Sequence, residues 1–113
     1  VGAGGIRSSV NDLSKFAQRQ FNNAEKALKL TQQATFTINK NMKIGLGWHI
    51  IENNFSDNLI WHNGGTGGFT SSMVLDLNQK KGVIISSNVS SAHPKKQNID
   101  ALAFELLKHE LNQ

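Results

Sequence analysis

The sequence predicts an α+β fold, an antiparallel β-sheet flanked by helices. Three observations carry that expectation. Apolar residues recur at helical spacing near the start (Val10, Leu13, Phe16, Ala17, Phe21) and near the end (Ile99, Leu102, Ala103, Leu106, Leu107, Leu111), the period of helices that bury one face. Between them, from Gly45 to Ser87, short runs have the texture of strands. The links between those runs are only a few residues long, which favours antiparallel neighbours.

The elements follow in order. Ser9-Val10-Asn11-Asp12 fits a capping box, a hydroxyl with an acid three residues on, so the first helix is expected over residues 9–21. Asn22-Asn23 ends it, and Ala27, Leu28 and Thr31 support a second, shorter helix over 24–33. Leu46, Trp48 and Ile50 alternate, which predicts a strand over 46–51. Asn53-Asn54 and Ser56-Asp57-Asn58 are turn material, followed by a second strand over 59–62. A third is expected over 71–77 and a fourth over 82–87, joined through Asn78-Gln79-Lys80-Lys81. After Pro94 the helical period returns, giving a last helix that covers one sheet face.

Composition narrows the classes. At 113 residues the chain is one small domain. Its mean hydropathy of −0.35 and the absence of any long apolar run offer no span for a bilayer. With no cysteine, disulfides and thiolate metal sites are excluded within the chain. The net charge is +4, but the lysines are scattered (Lys26, Lys29, Lys40, Lys43, Lys80, Lys81, Lys95, Lys96) and not interleaved with aromatics. No nucleic-acid partner is expected.

Chemistry concentrates in Trp61-His62-Asn63-Gly64-Gly65-Thr66-Gly67-Gly68-Phe69. Glycines cost conformational entropy and pack nothing, so such a run marks a place where backbone must come close to a neighbour or a ligand. It matches no phosphate cradle, because a strand follows it instead of a helix. A plain glycine-rich hairpin is the competing explanation, and a free-standing glycine-loop anion binder a further one. Of the four histidines only His62 stands at a strand end beside this run; His49, His93 and His109 read as structural. No two histidines stand at i, i+4 and no carboxylate completes a metal motif, so neither a metal nor a cofactor is expected. Ser71 and Ser72 fall inside a strand and no Gly-x-Ser-x-Gly elbow exists, so neither reads as a nucleophile.

Three blocks in order, Gly4-Gly5-Ile6-Arg7-Ser8-Ser9 with Asp12-Leu13 and Phe16, then Gly45-Leu46-Gly47-Trp48, then the glycine segment, resemble the C-terminal part of serine β-lactamase-like hydrolases. That superfamily holds class C β-lactamases, D-alanyl-D-alanine carboxypeptidases, D-aminopeptidases and esterases. The resemblance runs from about Ala3 to Leu111 and implies the C-terminal portion of the β-lactamase/transpeptidase-like fold. The family's third motif, Lys-Thr-Gly or His-x-Gly, falls here on His62-Asn63-Gly64. The resemblance implies that this strand pairs with substrate, and that the Gly65 N–H supplies one oxyanion donor. His62 would tune or relay protons, as imidazole does near neutrality. Substrate contacts would fall to Asn63, Gly64, Thr66 and Gly67. Asn63 in place of threonine removes a hydroxyl that meets a carboxylate, pointing toward an esterase or peptidase relative.

The family's Ser-x-x-Lys and Tyr-x-Asn are not in this chain, which has no tyrosine. Residues 1–113 are therefore expected to be a partial domain of a longer hydrolase that acts on a small-molecule or peptide substrate through an acyl-enzyme. Export, to the periplasm for example, is the family's habit. A non-catalytic ligand- or peptidoglycan-binding homologue is the alternative. In the family, upstream strands extend the sheet beside the strand matching Val83 to Ser87. An open edge is thus expected at Lys81 to Ser87, to be covered by self-association or by the N-terminal part.

Overall fold

The computed structural model describes residues 2–94 and 98–113, so Lys95 and Lys96 of the scattered basic set lie outside the described residues. A short 3-10 turn at Ala3–Gly5 precedes helix α1 (Val10–Gln20) and helix α2 (Lys26–Thr31). Six strands follow: β1 (Phe36–Asn39), β2 (Met42–Ile44), β3 (His49–Ile51), β4 (Leu59–Gly65), β5 (Thr70–Asp76) and β6 (Lys81–Ser87). Helix α3 (Ile99–Leu111) closes the order. The strands form one antiparallel meander in sequence order.

Local chemistry explains the helix limits. The Ser9 hydroxyl accepts a hydrogen bond from the Asp12 N–H at 3.1 Å, the cap expected at the start of α1. At α3 the Asn98 side chain accepts from the Ala101 N–H at 3.0 Å, with Asp100 in the first turn and Lys108 and His109 in the last, each sign where the helix dipole favours it. Gln32 ties α2 back to α1 by donating to the Gln20 carbonyl at 2.9 Å.

Both faces of the sheet are covered. Ala17, with Leu13 and Phe21 of α1, packs on Ile60, Met73, Leu75 and Ile84. Ala103, Leu107 and Phe104 of α3 pack on the opposite face against Leu59, Val74, Val83 and Ile85. This is why β5 is buried along Ser72 to Asp76 without alternation, and why Leu59 and Ile60 are both fully buried though they point opposite ways. Asp76 is buried among its own partners: it accepts from the Ser56 hydroxyl at 2.6 Å and from the Asn78 and Gln79 N–H groups, holding two loops together.

The structure departs from the sequence expectation at three places. The strand expected over 59–62 runs on to Gly65, because Gly64 and Gly65 pair with Ser71 and Thr70, so His62 lies within β4 and not at its end. The sheet has six strands, because β1 and β2 form a hairpin that polar residues (Thr37, Asn39, Lys43) and short length concealed. The strand expected over 46–51 is a turn followed by the short β3. Gly47 adopts φ +89, outside extended backbone, and the Gly45 N–H donates to the Trp48 carbonyl at 2.8 Å. A Cβ on Gly45 would collide with the Thr31 carbonyl, so the chain passes α2 too closely for any other residue.

Candidate functional site

The backbone at the end of β4 is the core of the site. Two bonds flanking the β4–β5 ladder fix its phase: Leu77 N–H donates to the Asn58 carbonyl at 3.1 Å, and Thr66 N–H to the Phe69 carbonyl at 2.9 Å. Hydrogen-bonded and non-bonded pairs alternate along an antiparallel ladder. Ile60, His62 and Gly64 are therefore bonded to β5, while Leu59, Trp61, Asn63 and Gly65 turn their N–H and C=O groups the other way. Leu59 and Trp61 meet Ile51 and His49 of β3 there. Because the Gly45–Trp48 turn starts β3 only at His49, Asn63 and Gly65 have no strand partner on that side among the described residues.

Beside this open stretch lies a groove of about 480 Å³ between α1 and the sheet, lined by Phe16, Leu46, Trp48, His62, Ser71 and Met73 among others. Phe16 stacks on Trp48 with ring centroids 6.3 Å apart, yet remains half exposed. His62 shares the groove face with its register partner Met73. Its Nδ1 lies 2.5 Å from the Asn63 carbonyl. A carbonyl only accepts, so Nδ1 is the donor in this contact, and Nε2 is the ring nitrogen left to face a ligand. The His49 ring lies 5.9 Å from that of His62, and its buried Nδ1 has no hydrogen-bond partner among the described residues.

The remaining residues singled out in the sequence divide. Asn63 lies on the α3 side of the strand, where its amide donates to the Asp100 carboxylate at 3.0 Å, tying β4 to the first turn of α3. A Cβ on Gly64 would stand 3.1 Å from the Ser71 hydroxyl and one on Gly65 3.2 Å from the Ser91 hydroxyl, so both glycines admit a close neighbour. Thr66 closes the hairpin through its N–H, and around Gly67 and Gly68 a Cβ would meet open space. Ser72 accepts from the Trp61 indole at 3.1 Å, a cross-strand structural bond. Spacing along the chain separated His49 from His62; only the antiparallel register of β3 and β4 brings them together.

The fold and the glycine-bordered strand agree with the comparison of the chain against protein families. The family model described as Beta-lactamase matches residues 2–108. No curated protein matches the chain. That match takes in α1, the whole sheet and most of α3, including the Gly45–Trp48 turn and the His62-Asn63-Gly64 strand. The chain belongs to the β-lactamase family, among the serine β-lactamase-like hydrolases.

Proposed function

We propose that this chain supplies one wall of an acyl-enzyme site, with β4 as the strand that pairs with substrate and the Gly65 N–H as an oxyanion donor. One observation carries the reading: Asn63 and Gly65 present backbone groups with no strand partner at the rim of an apolar groove that also holds His62. A substrate lying along that edge would extend the sheet by one strand. A backbone N–H aimed at a developing oxyanion lowers the barrier by about 3 kcal/mol, on the scale of a measured side-chain donor. Gly64 puts no side chain of its own on the groove face, where an acyl group would lie, and Thr66 and Gly67 would border the leaving side. Among the described residues His62 is the imidazole lining the groove, and it would accept or relay a proton there. The nucleophile and its lysine base would come from sequence carrying Ser-x-x-Lys and Tyr-x-Asn, neither of which occurs in these residues. The alternative is a binding homologue that uses the same groove without turnover.

The test joins this chain to a segment bearing the two other motifs and measures p-nitrophenyl ester and chromogenic cephalosporin hydrolysis. Gly65→Pro removes an N–H that takes no part in the β4–β5 ladder, and a Ser91→Gly background removes the crowding at that position. The expected loss is two to three decades in kcat, roughly what one donor contributes. Equal turnover in the folded double variant and in Ser91→Gly sinks the oxyanion assignment, and ligand binding without any turnover favours the binding homologue.

A further inference from the structure

A strand that offers its edge to a substrate has to hold that edge still, and glycine works against this. Gly64, Gly65, Gly67 and Gly68 give the end of β4 and the turn after it more backbone freedom than other residues would. An oxyanion donor is effective only when it is already aimed before the reaction. On the inner side, the ladder to β5 fixes Gly64 against Ser71. On the outer side β3 begins only at His49, opposite Trp61, so among the described residues no strand steadies Asn63 or Gly65 there.

The α3 face of the sheet supplies what that strand does not. Three contacts converge on it, all from residues that follow β6. The Asn63 amide donates to Asp100 Oδ2 at 3.0 Å, across 37 positions of sequence. Thr70, the register partner of Gly65, donates its hydroxyl to the Val89 carbonyl at 3.2 Å. Ser91 stands behind Gly65 itself, its hydroxyl 3.2 Å from where a Cβ would be.

Of these, the Asp100 contact reaches the open stretch through a side chain at each end. Asp100 stands in the first turn of α3, a helix anchored by Ala103 and Leu107 against Leu59 and Val74. Its other oxygen, Oδ1, is buried with no hydrogen-bond partner among the described residues. The Asn63 amide is therefore the side-chain donor on which a partly desolvated carboxylate depends, and that dependence holds the two groups together.

We propose that Asp100 is a positioning residue for the site: through Asn63 it holds the backbone of residues 63–65 in the orientation that receives substrate. The inference rests on the reading of β4 as the substrate-pairing strand. Asp100 does not line the groove, and it acts from the opposite face of the sheet through Asn63. One bond from a rigid helix thus offsets the freedom that the glycines introduce.

Nuclear relaxation of the isotope-labelled whole chain tests the restraint directly. The Gly65 amide should have an order parameter near the rigid value of about 0.85, and in Asp100→Ala it should fall toward the flexible range, about 0.6, while Leu59 and Ile60 keep theirs. Asp100→Asn retains an acceptor of the same shape and should restore it. Asn63→Asp sets two carboxylates face to face and should loosen Gly65; adding Asp100→Asn re-forms the bond in reverse and should tighten it again. Asn63→Ala, at an exposed position, removes the same bond and serves if Asp100→Ala fails to fold. In the chain joined to a segment bearing Ser-x-x-Lys and Tyr-x-Asn, Asp100→Ala should lower kcat roughly tenfold with KM nearly unchanged, as a misaimed transition-state donor does. Asp100→Asn should keep most of that activity. The relaxation measurement needs no turnover, so an inert joined protein whose Gly65 responds as stated counts against the acyl-enzyme reading and upholds the positioning role. A Gly65 amide unmoved by loss of the bond, an Asp100→Asn variant no better than Asp100→Ala, or an unchanged kcat in an active, folded Asp100→Ala each overturns the proposal.

Discussion

The glycines of this chain are not equivalent, and their surroundings separate them where the sequence only groups them. Gly45 is fixed by backbone: a Cβ there meets the carbonyls of Thr31 and Gln33, which cannot step aside. Gly68 sits in open space with no positive φ. Gly45→Ala should therefore cost about 2–3 kcal/mol by overpacking, and Gly68→Ala no more than about 0.5 kcal/mol. Urea denaturation of the two variants beside the parent chain reads the difference. Comparable losses would mean that the hairpin tip is held by contacts other than those described. The contrast matters for function, because a glycine that the fold does not require is one left free for a ligand.

At the scale of elements, the helices were legible because they are capped and striped. Ser9 and Asp12 mark where α1 begins, and Leu13, Ala17 and Phe21 mark the face it buries. Ser9→Ala should lower stability by about 1 kcal/mol, the usual loss for an N-cap hydroxyl; no change in the thermal midpoint would show that α1 is held by packing alone. The strands were legible only where burial imposes a pattern. β5 and β6, pressed between two helices, declared themselves, while β1 and β2 lie outside the helices' cover and look like polar linker. The segment Leu46-Gly47-Trp48 misled because its apolar residues alternate for a different reason. Trp48 is buried under α1 and Leu46 lines the groove, one on each side of a glycine turn. At the candidate site, residue type and position single out His62 and the glycines in the sequence. Asp100 as the partner of Asn63, and His49 beside His62, were not, since those pairings are made by the register of the sheet and by the docking of α3.

The molecule as a whole sets the limit on its chemistry. Its groove offers backbone with no strand partner among the described residues, the His62 imidazole, and apolar lining from Phe16, Leu46, Trp48 and Met73. An oxyanion donor lowers a barrier only when something attacks the carbonyl. The hydroxyl on the groove face of β5 is Ser71, which sits inside a strand beside Gly64, and no lysine stands three residues after any serine of the chain. Among the described residues no hydrogen bond joins the Ser71 hydroxyl to His62 or to a lysine, so Ser71 is not held by a base as an activated serine nucleophile is. The purified chain should show no turnover of p-nitrophenyl acetate or of a chromogenic cephalosporin above buffer. The same preparation should acquire turnover only when a segment carrying Ser-x-x-Lys and Tyr-x-Asn is supplied. Hydrolysis by the chain alone that disappears in Ser71→Ala or His62→Ala would refute this, since it would place the nucleophile within the groove itself. Background hydrolysis that survives both substitutions would be an unspecific surface reaction, because neither the hydroxyl nor the imidazole of the groove would then take part in it.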